Sequence, residues 1–278
     1  MFRSLSNSWA LVKASIRVLQ ADKELMLFPV VSGIALLLVS ISFFVPTYLL
    51  LPGLESGETP RALAYAIGFL FYVVQYFVII YFQTGLVGAA MIRLNGGDPT
   101  VKDGLRIANE RLGVILSYAL IAATVGMILR ALRERLGFVG GLISALGGFA
   151  WSLATFFVVP VLAAKKVGPF DAISESAALL KKTWGEQLAG GGGIGLVFGL
   201  LMFGYIVFIG VVFALVASLQ STAIYIALSI AAVVGFLGLI LVSSTLGGIY
   251  SAALYRFAQD GSVNFFDREL LREAFHRK

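Results

Sequence analysis

Residues 187–255 read QLAGGGGIGLVFGLLMFGYIVFIGVVFALVASLQSTAIYIALSIAAVVGFLGLILVSSTLGGIYSAALY, 69 consecutive residues without one Asp, Glu, Lys, Arg or His. A helix rises about 1.5 Å per residue, so about 20 residues cross the roughly 30 Å of hydrocarbon in a bilayer. The run is too long for one crossing and suits two. Its most polar point, at Ser218, Gln220, Ser221 and Thr222, is where a tight turn between them belongs.

Four more uncharged runs precede it, at 25–54, 62–92, 112–129 and 136–164. Together they predict an all-α membrane protein with six transmembrane helices arranged as three hairpins. The run at 112–129 has only 18 residues, just enough to span, whereas runs near 30 residues imply tilt or extension beyond the bilayer.

Composition agrees. Of the 278 residues, 59% are apolar and 13% charged, and the mean hydropathy is +0.93. A soluble domain has about 45–50% apolar and about 25% charged residues. The excess apolar surface has no soluble interior large enough to hold it. Residues 1–24 carry Arg3, Lys13, Arg17, Asp22, Lys23 and Glu24 with no short apolar core and small-residue cleavage site ahead of the first run, so a cleavable signal peptide is not expected.

The net charge of +6 has a topological explanation before a nucleic-acid one. Lys and Arg number four before the first run, four in 93–111, four in 165–186 and five from Arg256 onward. The alternate connections hold one (Arg61), three (Arg130, Arg133, Arg135) and none. The split of 17 against 4 places both termini in the cytoplasm, because basic loops resist translocation. Nucleic acid is not an expected partner.

The basic segments are themselves patterned. Phe2, Leu5, Trp9, Val12, Ile16 and Leu19 recur at spacings of three and four, one apolar stripe on a helix, with Arg3, Asn7, Lys13 and Arg17 off it. Val101, Leu105, Ala108 and Leu112 repeat the pattern, as do Phe170, Ile173, Ala177, Leu180 and Trp184. Such helices lie in the membrane interface or pack on the ends of the spans, and the two roles are compatible. Each precedes a pair of runs, and the second and third follow Pro99 and Pro169, which suit helix starts. The chain therefore reads as a single transmembrane domain, 1–278, of three parallel units at 1–95, 96–167 and 168–258, with a cytoplasmic tail at 259–278. Aligning Val12 with Val101 pairs Lys13 with Lys102 and Arg17 with Arg106, and aligning Val101 with Ile173 pairs Gly113 with Gly185. These identities are few, and any hairpin protein with amphipathic linkers shares the general pattern. Phe265, Phe266, Leu270, Leu271, Ala274 and Phe275 predict a short amphipathic helix in the tail.

Candidate chemistry is sparse. There is no cysteine, and His276 is the only histidine, so thiolate metal sites, disulfides and multi-histidine clusters are excluded. No cofactor is implied. All six crossings fit without an ionisable residue, which disfavours proton-coupled carriers, pumps and voltage sensors. The polar groups in the runs are mild: Gln75, Gln83 and Thr84 in the second, Ser152 and Thr155 in the fourth, Ser243, Ser244 and Thr245 in the last. Gln75 and Gln83 stand about 80° apart around a helix. These groups either line a polar path or hydrogen-bond between helices, the latter worth about 0.6 kcal/mol each on average. Gly191, Gly195 and Gly199 form a small-xxx-small row suited to close helix packing, and no Gly-Lys-Ser/Thr follows to make a phosphate loop. Pro29, Pro46 and Pro160 fall in or near runs and can kink them.

The opening residues Trp9, Leu11, Lys13, Ala14, Ser15, Arg17, Val18 and Leu19, then Asp22-Lys23-Glu24-Leu25, Phe28-Pro29 and Ser32-Gly33, resemble the start of a family of uncharacterised prokaryotic integral membrane proteins, a domain of unknown function. The likeness covers about the first 35 residues. It implies a prokaryotic cell (inner) membrane and several spans, and it carries no activity or site residue.

The leading functional expectation is a non-enzymatic scaffold or subunit of a membrane assembly, with the lipid bilayer and a membrane-protein partner or second copy as its partners. The alternative is a channel or transporter for a small neutral or lipid-like solute, with the Gln, Ser and Thr groups as its path. A membrane enzyme is disfavoured because no carboxylate pair, metal cluster or nucleophile–base set stands out.

Overall fold

A computed structural model describes residues 2–50, 60–184, 194–216, 221–260 and 264–266. Among the described residues every regular element is helical and there is no strand. Helix α1 is Phe2–Ala21, and a 3-10 turn at Lys23–Met26 leads into α2, Leu27–Leu50. Then come α3 (Arg61–Leu94), α4 (Val101–Asn109), α5 (Leu112–Ala154), α6 (Val158–Ala164), α7 (Pro169–Trp184), α8 (Ile194–Val216) and α9 (Thr222–Asp260). Five helical stretches are long and apolar enough to cross a membrane, at Lys23–Leu49, Ala62–Leu94, Leu112–Ala164, Val197–Val216 and Thr222–Gln259, as in a multi-pass membrane protein. Of the last expected turn, Ser218 and Gln220 lie outside the described residues, as do the expected tail helix beyond Phe266 and Gly191.

The third stretch is 53 residues long, more than twice what one crossing needs. Gly137 interrupts α5 at φ 55° and ψ −130°, a backbone shape that side chains with a Cβ avoid. Beyond it the two limbs meet: a Cβ on Gly147 would lie 2.9 Å from Leu129, and one on Gly140 would strike the Leu132 carbonyl. In a straight helix residues 129 and 147 would stand about 27 Å apart, so the chain turns back at Gly137. This corrects the expected loop at 130–135, which is helical. Arg130 is held there by Glu134 one turn on, at 2.7 Å, and donates to the Tyr72 hydroxyl at 3.1 Å.

The run at 136–164 is likewise not one helix. Pro160 has no N–H to give residue 156, and its ring crowds that carbonyl. The helix stops at Ala154 and restarts as α6, with Pro160 in its first turn. The Phe157 N–H released by the break donates to Ser176 Oγ of α7 at 2.9 Å, and both residues are fully buried.

Helices α1, α4 and α7 stand where the periodicity puts them, and each buries one face: Leu11, Ala14, Ser15 and Val18 in α1, Gly104 and Ala108 in α4, Ala172, Ser176 and Leu180 in α7. Thr100 and Asp103 form a capping box that starts α4, and their hydrogen bonds hold the Asp103 carboxyl below the usual range. The buried face of α1 is centred roughly a third of a turn from the expected stripe, and of the stripe Val12 is buried while Ile16 and Leu19 pack against the core. Trp9, on the stripe, is 45% exposed, with Lys13 Nζ 6.0 Å from its ring. Packing selects the smaller residues that let α1 approach α8 and α9.

The buried core gathers at the end of the bundle where these three helices sit. Phe28, Leu86, Ile115, Phe157, Leu162, Leu246 and Leu254 are almost wholly enclosed there, whereas Tyr48, Phe138, Phe203 and Val234 farther along are exposed. Helix α3 is central and bare where others cross it. A Cβ on Gly104 would lie 2.6 Å from the Gly85 carbonyl and would also run into the Phe28 ring. A Cβ on Gly88 would lie 2.8 Å from Ile107, and one on Gly248 of α9 would lie 2.5 Å from Leu86.

A polar clasp closes the same end. Arg93, at the foot of α3, lies 3.5 Å from Asp22, pairs with Asp98 and donates to the Ala21 carbonyl at 3.3 Å. Glu24 accepts the Val101 N–H at 3.0 Å, which satisfies an orphan donor of the first turn of α4. Burial pushes the Asp22 carboxyl above its ordinary value, and Arg93 offsets part of that rise.

Two stability outcomes follow. Gly104→Ala should lower the melting temperature in detergent, at a cost of about 1–3 kcal/mol from overpacking. Gly113→Ala, where a Cβ would meet nothing within 4 Å, should not. Arg93→Leu leaves Asp22 buried without its cation and should cost about 2–3 kcal/mol, less than a fully buried pair because Arg93 is 18% exposed. A carboxyl whose pKa is higher folded than unfolded loses stability as pH rises through the folded value. Loss of Arg93 raises that value further, so the variant should be hurt more at neutral pH than in acid. Asp22→Asn should be milder at both.

Candidate functional site: two cavities between the spans

The Tyr76, Ile79, Gln83 and Val87 side chains recur at spacings of three and four on α3, so they form one stripe along the helix. On α9, Ser244, Gly248 and Ser251 do the same. With Tyr118, Trp151, Ser152 and Thr155 from α5 and its end, they enclose a cavity of about 510 Å³. A second cavity of about 510 Å³ lies between α2, α3 and α9, lined by Ser32, Gly33, Ser40, Gln75 and several Leu, Ile and Val side chains. Ile79, Gln83 and Ser244 border both. Neither lining contains an Asp, Glu, Lys, Arg or His. Gln83 stands about 16 Å along α3 from its end at Leu94, level with α4, where Tyr81 donates to Asn109 and Gly104 lies against Gly85.

Of the residues expected on a polar path, Gln83, Ser152, Thr155 and Ser244 line the first cavity, and Gln75, Gln83 and Ser244 the second. Thr84 lines neither: it is fully buried and donates to the Ile80 carbonyl at 2.7 Å. Ser243 also lines neither. Tyr76, Tyr118, Trp151 and Ser251 join the site without having been expected. Tyr76 was legible, since it lies seven residues before Gln83, as was Ser251, seven after Ser244. Tyr118 and Trp151 meet only because α5 turns back at Gly137.

The polar groups divide into satisfied and unsatisfied. Gln75 Nε2 donates to Ser40 Oγ at 2.9 Å, and Ser40 donates to the Leu36 carbonyl at 2.8 Å. Ser152 and Thr155 donate to the Gly148 and Trp151 carbonyls one turn back, at 2.9 and 2.8 Å. In contrast, the Gln83 amide and the Ser244, Ser251 and Tyr76 hydroxyls make no hydrogen bond to another described residue. Gln83 is exposed to the cavities. An amide without a partner among the described residues keeps its donors and acceptor free for a ligand. The arrangement can bind an uncharged hydrogen-bonding group. Among the described residues no three His, Cys, Asp or Glu side chains come together to hold a metal ion.

The glycine row is open at Gly199 on α8. A Cβ on Gly199 would meet nothing within 4 Å, so no described helix of the chain fills that groove.

A family model matches residues 62–265, from the start of α3 to just beyond α9 and downstream of the opening motif. No curated protein and no solved structure matches the chain. The match spans most of the sequence, and the chain belongs to a family of unknown function, DUF6159.

Proposed function

We propose that the chain binds and carries a small neutral or lipid-like solute between its membrane spans, with Gln83 at the centre of the path. The observation that carries this reading is the Gln83 amide, which makes no hydrogen bond to another described residue and borders both cavities. Ser244 shares that position, and Ser152 and Thr155 add to the polar lining, whereas the Gln75 amide is spent on Ser40 and fastens α3 to α2. The uncharged lining favours a neutral solute over an ion, and no catalytic step is assigned. The scaffold or subunit reading, with a partner or second copy docked on the chain, keeps one observation in its favour, the open face of α8 at Gly199.

The topology we assign has six crossings in three hairpins, each preceded by an interfacial helix (α1, α4 and α7), with both termini in the cytoplasm of a prokaryotic inner membrane. The turn at Gly137 supports the sixth crossing, and the 17 to 4 split of basic residues supports the orientation. The recurrence of helix then hairpin favours the threefold relation among the units.

The native chain has no cysteine, so single substitutions report topology directly. Lys13→Cys, Lys102→Cys and Lys181→Cys should react with a membrane-impermeant maleimide only from the cytoplasmic side, and Arg133→Cys only from the other. Labelling of Arg133→Cys and Lys102→Cys from one and the same side would remove the six-crossing topology.

For the site, mass spectrometry of protein purified in mild detergent should find a co-purifying neutral molecule. Gln83→Leu should reduce its retention about five- to tenfold, the worth of one buried hydrogen bond. Gln75→Leu, whose amide is already bonded to Ser40, should retain it. Equal retention by wild type and Gln83→Leu would refute the role given to Gln83.

A further inference from the structure

The two cavities differ in character but share a wall. The α3/α5/α9 cavity holds the Gln83, Ser244, Ser251 and Tyr76 groups, which make no hydrogen bond to another described residue and can each donate and accept. The α2/α3/α9 cavity is a groove walled by Val30, Ile34, Leu37, Leu237 and Ile240. Its rim faces outward: Ile34 is 54% exposed, Leu37 65% and Leu237 52%. From Leu86 to Gln75 the groove follows α3 for about 16 Å, the depth of one leaflet of a roughly 30 Å hydrocarbon core. Its far end is closed by the Gln75–Ser40 hydrogen bond between α3 and α2.

We propose that these are two halves of one site for a neutral-headed amphiphile: the hydroxyl- or amide-bearing head sits in the α3/α5/α9 cavity, and a single apolar chain lies in the α2/α3/α9 groove. This rests on the reading of the cavities as a solute site and adds the class of solute. Gln83 and Ser244, on the shared wall, bond the head where it joins the chain. The chain enters sideways from the lipid between α2 and α9, needing no aqueous opening. A carboxylate or phosphate head is rejected because neither lining offers a cation to offset its desolvation.

Two glycines let each half be filled separately. Gly33 lines the groove and Gly247 the polar cavity, and a Cβ on either meets nothing within 4 Å, so the side chains of Gly33→Leu and Gly247→Leu start in open space. The probe is monooleoylglycerol, scored by native mass spectrometry of the full chain, with oleate and glycerol as comparators. The wild type should retain one monooleoylglycerol, each variant should weaken retention about tenfold or more, and oleate and glycerol should not compete. Loss in Gly247→Leu alone, or competition by glycerol, would mean that a head-only solute uses the polar cavity, which overturns the two-part site and leaves the solute-site reading standing. Tighter retention of oleate would overturn the neutral head. Undiminished retention in both variants would overturn this proposal and the solute-site reading together.

Discussion

In hydrocarbon a backbone amide has no water to bond, so a chain that crosses a bilayer satisfies its backbone within helices and gains no hydrophobic drive to bring those helices together. What holds them is close contact, and close contact needs small residues. Gly85 and Gly104 let α4 lie on α3 with the Phe28 ring against both, and Gly248 lets α9 meet α3 at Leu86. The rest of the structure depends on that meeting. It puts α3 at the centre and lets the buried core form at one end. The Asp22–Arg93 and Glu24–Val101 contacts then tie the segment between α1 and α2 to the foot of α3 and the start of α4. Farther along, large side chains such as Tyr48 and Phe203 point outward, and the helices are free to leave space between them.

That space is where the chemistry sits. The cohesive end spends small residues and charges on packing, while the middle of the bundle keeps amides and hydroxyls that packing does not use. Gln75 shows what a structural glutamine looks like here, bonded across to Ser40. Gln83, two turns nearer the core on the same helix, has the same chemistry and no such partner among the described residues. The contrast between two like residues in one helix separates a fastening from a binding group more clearly than either residue alone.

The membrane class was legible in the 69-residue uncharged run and in the placement of Lys and Arg, because hydrocarbon thickness and charge exclusion act on composition alone. Helices α1, α4 and α7 were legible from their three-and-four spacing, but the face α1 buries was legible only in part: Val12 of the stripe is buried, while packing against α8 and α9 also selects Ala14 and Ser15 off it. Thr84 was grouped with Gln83 because they adjoin, yet neighbours on a helix point about 100° apart, and only one can face the cavities. The arginines at 130–135 read as a loop, although Arg130 and Glu134 stabilise a helix that runs on to Gly137. Pro160 was read as a kink, and the break it makes was within reach of the same rule. The opening motif was visible, but the partners of Asp22 and Glu24 lie more than 70 residues away, a distance that no local pattern spans.

The central claim is that the space beside Gln83 is a site and not a packing defect. A cryo-electron microscopy map of the chain in nanodiscs of its native lipids tests this most directly. The account predicts elongated non-protein density running from the groove between α2 and α9, past Gln83 and Ser244, into the cavity beside Tyr118. Helices closed onto one another there, with the Gln83 amide bonded to a neighbouring helix and no room for a ligand, would contradict it.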